Sequence, residues 1–246
     1  MSLLRTSTLL LLMAVPTAAW ADLRVNATRV IYQQGSSVPP SLRLQNVGNR
    51  PSLIQAWIDD GDEDASLEHL RPALFVTPPA FRLDAGSKRD IQIRAADTLK
   101  LPNDRESLLW LNIVDVPARA RGATPHSLEF AMRWRLKVFH RPAGLPGSPD
   151  AAPPALRWQL QTDPRGRAVL RASNATPYFV SLARLTLGGQ PIALDASTAQ
   201  VPPMGHWTQV LPDAPAPRPA VVPLDVRWVD ARGLEQPIQA HVSRAD

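Results

Sequence analysis

The sequence contains no cysteine, which removes disulfides, thiol catalysis and cysteine-ligated metal sites from consideration. A chain of 246 residues does not need disulfides, because it is long enough to form two hydrophobic cores. The five histidines do not form an HExxH pair or another spacing typical of a metal site. A G-x-S-x-G elbow and a phosphate-binding loop are also absent. We therefore expect no enzyme activity, no cofactor and no metal.

Long hydrophobic runs are missing as well. Leu9 to Val15 is an apolar run that follows Arg5, and Ala19-Trp20-Ala21 is a small-x-small cleavage motif. These features predict a secretory signal peptide over residues 1–21, with cleavage before Asp22. The alternative is an N-terminal membrane anchor, but the run is short for a bilayer span. The mature chain is expected to be exported and not inserted in a membrane.

Clustered charge is the third absence. The formal net charge is +5, and the arginines are spread along the chain instead of forming a basic patch. Scattered charge in an exported protein argues against nucleic acid as a partner. A mild positive balance fits an anionic partner surface, but it does not identify one.

No segment shows sustained helical periodicity. Short alternating apolar segments are separated by Gly, Pro and Asn, a pattern typical of β-sandwiches. Residues 141–155 are dense in Pro, Gly and Ala and predict an interdomain linker. The sequence thus predicts an all-β protein of two domains. The predicted strands are 23–32, 41–48, 53–59, 73–78, 88–95, 107–116, 128–139, 156–161, 168–174, 178–187, 206–211, 221–230 and 237–243.

The segment HSLEFAMRWRLKVFHRP, residues 126–142, alternates apolar and polar residues for about a dozen positions. It predicts one long β-strand, about twice the ordinary length. Leu128, Phe130 and Met132 share one face, whereas Lys137 lies on the other because its spacing from Met132 is odd. Taken alone, this apolar stripe is typical of an inner strand of a core.

Several stretches together resemble a known family. They are TRVIY (28–32), SLRLQN (41–46), PSLIQAWIDD (51–60), FVTPPAFRLDAG (75–86), LPNDRESLLWLNI (101–113), LEFAMRWRLKVFHRP (128–142) and NATPYFV (174–180). In this order they are similar to the PapD-like periplasmic chaperones of the chaperone–usher pilus pathway. The resemblance runs from about Leu23 to the C-terminus, and it is looser in the second domain.

The resemblance implies two immunoglobulin-like β-sandwich domains in a boomerang arrangement, with a cleft between them. The expected boundaries are 22–143 for the N-terminal domain, 144–154 for the linker and 155–246 for the C-terminal domain. It also implies a periplasmic chaperone that binds pilus subunits, lends them a β-strand and delivers them to an outer-membrane usher. Such subunits lack one strand, and an open sheet edge with exposed apolar surface favours aggregation.

Site residues follow from the same resemblance. Leu128, Phe130 and Met132 are expected to fill the groove of the subunit. Arg29 and Lys137 are expected to bind its C-terminal carboxylate, since two cations with several donors suit that group. The role of Trp134 is left open between subunit contact and the chaperone's own core.

Three further residues match a family network of ion pairs that bridges the domains. They are Glu106 in DRES, Arg141 in HRP and Asp230 in RWVDARG. Such a network would fix the interdomain angle, and removing one partner would leave a buried charge uncompensated.

A second hypothesis is an exported β-sandwich adhesin or binding module that remains in the final structure. Under the chaperone hypothesis, exposure of Leu128, Phe130 and Met132 would favour self-association of the free protein.

Overall fold

A computed structural model describes residues 22–62, 68, 70, 72–96, 101–119, 130–211 and 221–244. The predicted signal peptide, its cleavage site and Leu128 lie outside these ranges. Within them, no helix is long and apolar enough to cross a membrane. The strands of the first domain are β1 Leu23–Val25, β2 Arg29–Gln33, β3 Ser41–Asn46, β4 Ser52–Asp59, β5 Leu74–Thr77, β6 Ala80–Leu83, β7 Lys88–Ala95, β8 Ser107–Pro117 and β9 Met132–Arg141.

The first domain is a sandwich of two sheets. One sheet has the order β1-β3-β7-β5 and the other has the order β2-β9-β8-β4-β6. Alternate residues of each strand face inward, so that Leu44, Ile91 and Ile93 of the first sheet pack with Ile54 and Leu111 of the second. All five side chains are fully buried. The core therefore lies between the sheets, as the alternating pattern predicts.

The predicted strand 23–32 is wrong in one respect, because the chain changes sheets within it. β1 pairs with β3, whereas β2 pairs with β9 of the opposite sheet. Asn26 marks the break. Its side-chain oxygen accepts a hydrogen bond from the Arg43 amide at 2.8 Å, and its own amide donates to the Arg43 carbonyl. This switch carries Arg29 into the same sheet as Lys137.

The second domain is built on one eight-stranded sheet. Its strands are β10 Arg157–Thr162, β11 Ala168–Asn174, β12 Val180–Leu187, β13 Gln190–Ile192, β14 Gln200–Val201, β15 Gly205–Leu211, β16 Val221–Val229 and β17 Glu235–Arg244. The order is β13-β12-β16-β17-β10-β11-β15, and β14 also pairs with β12. Both ends of the sheet contribute to one buried cluster. Leu170 and Trp207 come from β11 and β15, and Leu185 and Val226 come from β12 and β16. The sheet thus wraps around a core of its own, and the chain is all-β with two β-sandwich domains.

Two short 3₁₀ helices, Pro149–Ala151 and Pro153–Ala155, lie in the proline-rich connection. Gly144 and Gly147 precede them with positive φ angles of 76°, which favour glycine. Tyr178 of the second domain donates from its hydroxyl towards the Gly147 carbonyl at 3.3 Å. The connection is therefore packed against the second domain.

His140 is a buried histidine on β9. It is 1% exposed and stacks on the Tyr32 ring, with centroids 5.7 Å apart. Neither ring nitrogen has a hydrogen-bond partner among the described residues. Burial lowers the pKa of His140 below its ordinary value of 6.5, because the charged imidazolium is poorly solvated there.

A pH dependence of stability follows from this histidine. The unfolded chain binds a proton on His140 more readily than the folded chain does. The contribution of the neutral ring is therefore complete above pH 6.5 and is lost as the pH falls below it. We expect His140→Phe to reduce the loss of stability on acidification, measured as urea midpoints on both sides of that value. The exposed His241→Gln is the control, and an equal acid sensitivity in His140→Phe and wild type would contradict the assignment.

Candidate functional site

Strand β9 is paired on both sides along only half of its length. It pairs with β8 from Met132 to His140, antiparallel. On its other side it pairs with β2, parallel, from Lys137 to Arg141. Among the described residues, no strand pairs with the second side between Met132 and Leu136. That stretch is a free sheet edge whose backbone groups are available to another strand.

The same end of β9 exposes large apolar side chains. Phe130 is 66% exposed and Met132 is 46% exposed. They share the face of Leu136 and Val138, which are buried in the core. The apolar stripe therefore continues beyond the end of the protein's own core. Trp134 lies between the two parts, is half-buried and packs against the core.

The arginines on the opposite face of β9 lie against neighbouring strands of the same sheet. Arg133 donates to the Asn112 side-chain oxygen at 2.9 and 2.6 Å. Arg135 forms an ion pair with Asp59 at 3.0 Å, and its guanidinium lies 4.7 Å from the centroid of the Trp110 ring. These contacts stiffen β9 beside its free edge.

Arg29 and Lys137 are direct register partners in the parallel pairing of β2 and β9. Two neighbouring cations thus stand where the free edge begins. Burial and the nearby Arg29 lower the pKa of Lys137 to about 8, whereas the Asp195 carboxylate acts in the opposite direction. Burial also lowers the pKa of Arg29, and Asp230 partly offsets this effect. A pair of this kind favours an anionic ligand, because an anion relieves the repulsion between the cations.

Both cations are held by oxygen atoms of the second domain. The Arg29 guanidinium donates to the Ser181 hydroxyl at 3.0 Å and to the Val229 carbonyl at 3.1 Å. The Lys137 ammonium donates to the Ala196 carbonyl at 2.6 Å. The cations therefore lie in the interdomain cleft, and both domains shape the site.

Glu106 and Arg141 form an ion pair at 2.7 Å, with side chains 2% and 16% exposed. Glu106 also accepts a hydrogen bond from the Phe179 amide at 2.8 Å, and its own amide donates to the Pro177 carbonyl at 2.9 Å. Burial raises the pKa of Glu106, and Arg141 and Phe179 offset part of that rise. The pair thus bridges the domains. Contacts with Arg141 and Phe179 favour the charged form of the buried Glu106 carboxylate.

Asp230 has different partners from those that the sequence analysis gave it. Its carboxylate accepts hydrogen bonds from the amides of Leu234 and Arg232 and from the side chains of Arg232 and Gln236. These bonds, led by the one from Leu234, lower the pKa of Asp230 to about 2. Its hydrogen bonds are local to the β16–β17 turn, because its side chain caps that turn. Its link to the first domain is electrostatic and reaches Arg29.

The turn that Asp230 caps contains Gly233, which has a φ of +85°. A Cβ at this position would collide with the hydroxyl of Thr28 in the first domain. Glycine is thus required twice, for the backbone conformation and for the close approach of the domains. Since Thr28 precedes Arg29, the turn supports the strand that carries the first cation.

Sequence reasoning did not identify Ser181, Ala196 or Gly233 as site residues. Ser181 lies 152 positions from Arg29, and Ala196 lies 59 positions from Lys137. Ala196 contributes only its backbone carbonyl, which no side-chain pattern reveals. Gly233 stands in the quoted RWVDARG segment, but a glycine in a turn does not by itself indicate an interdomain contact.

Two protein-family models match most of the chain. Residues 22–146 match the N-terminal domain of PapD, the pili and flagellar-assembly chaperone, and residues 151–240 match the C-terminal domain of the PapD pili-assembly chaperone. The protein belongs to the PapD family of pilus-assembly chaperones. The family is a chaperone family and is not enzymatic. The alternative of an adhesin or binding module is not favoured.

Relatives agree with this assignment. The probable fimbrial chaperone YadV of Escherichia coli K12 is 39% identical over 172 residues, which is 69% of each chain. The chaperone protein FimB/FhaD of Bordetella pertussis is 40% identical over 182 residues, which is 72% of each chain. The crystal structure of YadV has a TM-score of 0.73 at 31% identity and covers 90% of this chain and 100% of its own.

A second solved structure contains a chaperone with its subunit. It is the Salmonella enterica SafA pilin in complex with the SafB chaperone. The match has a TM-score of 0.73 at 29% identity and covers 89% of this chain and 95% of that chain.

Proposed function

We propose that this pilus-assembly chaperone binds pilus subunits by lending them the free edge of β9, from Met132 to Leu136, together with Phe130 just before it. The observation that carries the proposal is the half-paired strand, which combines an open edge with exposed Phe130 and Met132. Donor-strand complementation by pilus chaperones is an established example of β-strand addition, and this edge has the features that the mode requires. Leu128 is assigned to the same stripe by its spacing.

The energy of the contact comes from two sources. Backbone hydrogen bonds would pair the free edge with an edge strand of the subunit. Phe130 and Met132 would enter pockets on the subunit, and burying each side chain contributes roughly 1.5–3 kcal/mol before ordering costs. The exposed stripe also explains why the free protein is expected to self-associate.

The anchor for the subunit is the pair Arg29 and Lys137, which we assign to its C-terminal carboxylate. The two cations lie beside each other where the free edge ends and the pairing with β2 begins. The last residue of an added strand would arrive at this point. Fixing that residue would set the register of the added strand. A slip of one residue would turn its apolar side chains to the wrong face.

The interdomain contacts hold the cleft in shape around this anchor. Glu106 and Arg141 clamp the second domain through Phe179, and this role is supported by their buried ion pair. Asp230 supports the cleft indirectly, through its turn and its charge near Arg29. We assign residues 1–21 as the signal peptide that directs the chain to the periplasm, and an outer-membrane usher as the recipient of the complex.

A periplasmic co-purification tests the proposal. The full precursor would be expressed in its native host, and tagged mature protein would be isolated with its partners for mass spectrometry. We expect a stoichiometric β-rich subunit with the wild type and a loss of that subunit with Phe130→Asp and Met132→Asp. Val38→Asp, at a 72% exposed valine outside the stripe, is the matched control. Equal recovery with all four proteins would contradict the assignment of the stripe.

A further inference from the structure

Residues 195–199 of the second domain form a turn, here called the Asp195 turn. This turn binds Lys137, one of the two cations. Its Ala196 carbonyl oxygen accepts a hydrogen bond from the Lys137 ammonium at 2.6 Å. The Asp195 carboxylate also acts on Lys137 through its charge. An oxygen acceptor is thus already present at the position where a bound carboxylate would need one.

The Asp195 turn is held by hydrogen bonds within itself, and its tip is exposed. The Asp195 carboxylate accepts hydrogen bonds from the Ser197 amide at 2.8 Å and from the Ser197 hydroxyl at 2.7 Å. Its carbonyl accepts hydrogen bonds from the amides of Thr198 and Ala199. The tip, residues 195–198, is exposed, whereas Ala199 is buried. The tip can therefore move away from Lys137 without uncovering core surface.

The same part of the second domain also holds Arg29. Beyond the turn, Gln200 lies on β14 and pairs with Ser181 of β12. The Ser181 hydroxyl donates to the Gln200 side chain at 2.7 Å, which leaves its lone pairs to accept the hydrogen bond from Arg29. The turn thus supplies the partner of Lys137, and the strand after it supplies the partner of Ser181, which in turn contacts Arg29.

We propose that the Asp195 turn is a placeholder for the C-terminal carboxylate of the subunit. The Ala196 carbonyl holds Lys137 in the free chaperone, and an arriving carboxylate displaces it. The carboxylate displaces the neutral carbonyl because it adds the attraction between opposite charges to the hydrogen bond with the ammonium. Asp195 repels the arriving carboxylate, so the turn also sets how tightly the anchor binds.

This inference rests on the carboxylate anchor of the proposed function, and one experiment separates the two. The sequence contains three lysines, Lys88, Lys100 and Lys137, so lysine labelled with ¹³C at Cε gives few NMR signals to assign. The probe is a short synthetic peptide of alternating valine and threonine with a free C-terminal carboxylate. The same peptide with a C-terminal amide is the control ligand.

We expect the free acid, but not the amide, to shift the Lys137 signal together with the backbone amide signals of Ser197 and Thr198. Asp195→Asn should keep the turn and lower the titration midpoint of Lys137 in the free protein. It should also tighten binding of the free acid about twofold to fivefold, the range of an exposed charge pair. Asp163→Asn is the matched control, since Asp163 caps another turn of the same domain through Arg165 and Arg167.

Two results would overturn the placeholder. If the free acid shifts Lys137 but not Ser197 and Thr198, the anchor stands and the turn plays no part in it. If Asp195→Asn leaves both the Lys137 signal of the free protein and the binding of the free acid as in the wild type, the turn does not act on Lys137. A free acid that shifts none of these signals contradicts the carboxylate anchor itself, and the placeholder with it.

Discussion

Replacing Lys137 with alanine is expected to reduce the recovery of bound subunit roughly tenfold to a hundredfold while the chaperone remains folded. The estimate corresponds to the loss of one hydrogen bond to a charged group, about 1.5–3 kcal/mol. The substitution also removes the charge that, in the proposed anchor, binds the subunit carboxylate beside Arg29. Arg29→Ala should have a similar effect, since the two side chains are register partners. Recovery is measured by co-purification from the periplasm at equal chaperone levels.

Lys88→Ala is the control for this prediction, because Lys88 is an exposed lysine on the other sheet of the same domain. Circular dichroism and thermal unfolding should show intact folding for all three variants. The wild type should also lose affinity as the pH rises through about 8, where free Lys137 loses its proton. Subunit recovery at the wild-type level with both Arg29→Ala and Lys137→Ala would refute the anchor.

Replacing Glu106 with alanine is expected to lower the free energy of unfolding by about 3–5 kcal/mol, the usual cost of removing one partner of a buried ion pair. Arg141 would keep its charge in a site where its side chain is 16% exposed. The Phe179 amide would lose its acceptor as well, so the contact between the domains would weaken. Urea unfolding monitored by tryptophan fluorescence measures the change.

Glu235→Ala is the matched control. Glu235 pairs with Arg184 at 3.6 Å, and both side chains are well exposed. Removing an exposed pair should change stability by no more than about 1 kcal/mol. If Glu106→Ala were as stable as Glu235→Ala, the buried pair would not be holding the domains together.

The strands were predictable where alternation is clear and turn residues flank the segment. β7 and β11 have the bounds that the pattern predicts, Lys88–Ala95 and Ala168–Asn174. The short strands β6, β13 and β14 were missed, because two to four residues are too few to show a period. The break at Asn26 was also missed, since its cause is a hydrogen bond to Arg43, which is distant in sequence.

The site was predictable only in part. Arg29 and Lys137 came from the resemblance, and their proximity depends on the parallel pairing of two strands more than 100 residues apart. Spacing placed Phe130 and Met132 on one face, but it could not show whether that face was core or surface. That distinction depends on where the first sandwich ends. The hydrogen-bond partners of the two cations belong to the second domain. Such contacts between domains cannot be predicted from the local sequence.

Amide hydrogen exchange along β9 tests the central claim most directly, because a lent strand must gain hydrogen bonds on its free side. Exchange would be compared between the free chaperone and its co-purified complex with the subunit. In the complex, we predict slowed exchange at alternate amides between Met132 and Leu136, the ones that point away from β8. Amides that already bond to β8 should change little. Unchanged exchange at the alternate amides of Met132–Leu136 that point away from β8, in a stoichiometric complex, would show that the subunit binds elsewhere and would contradict strand donation.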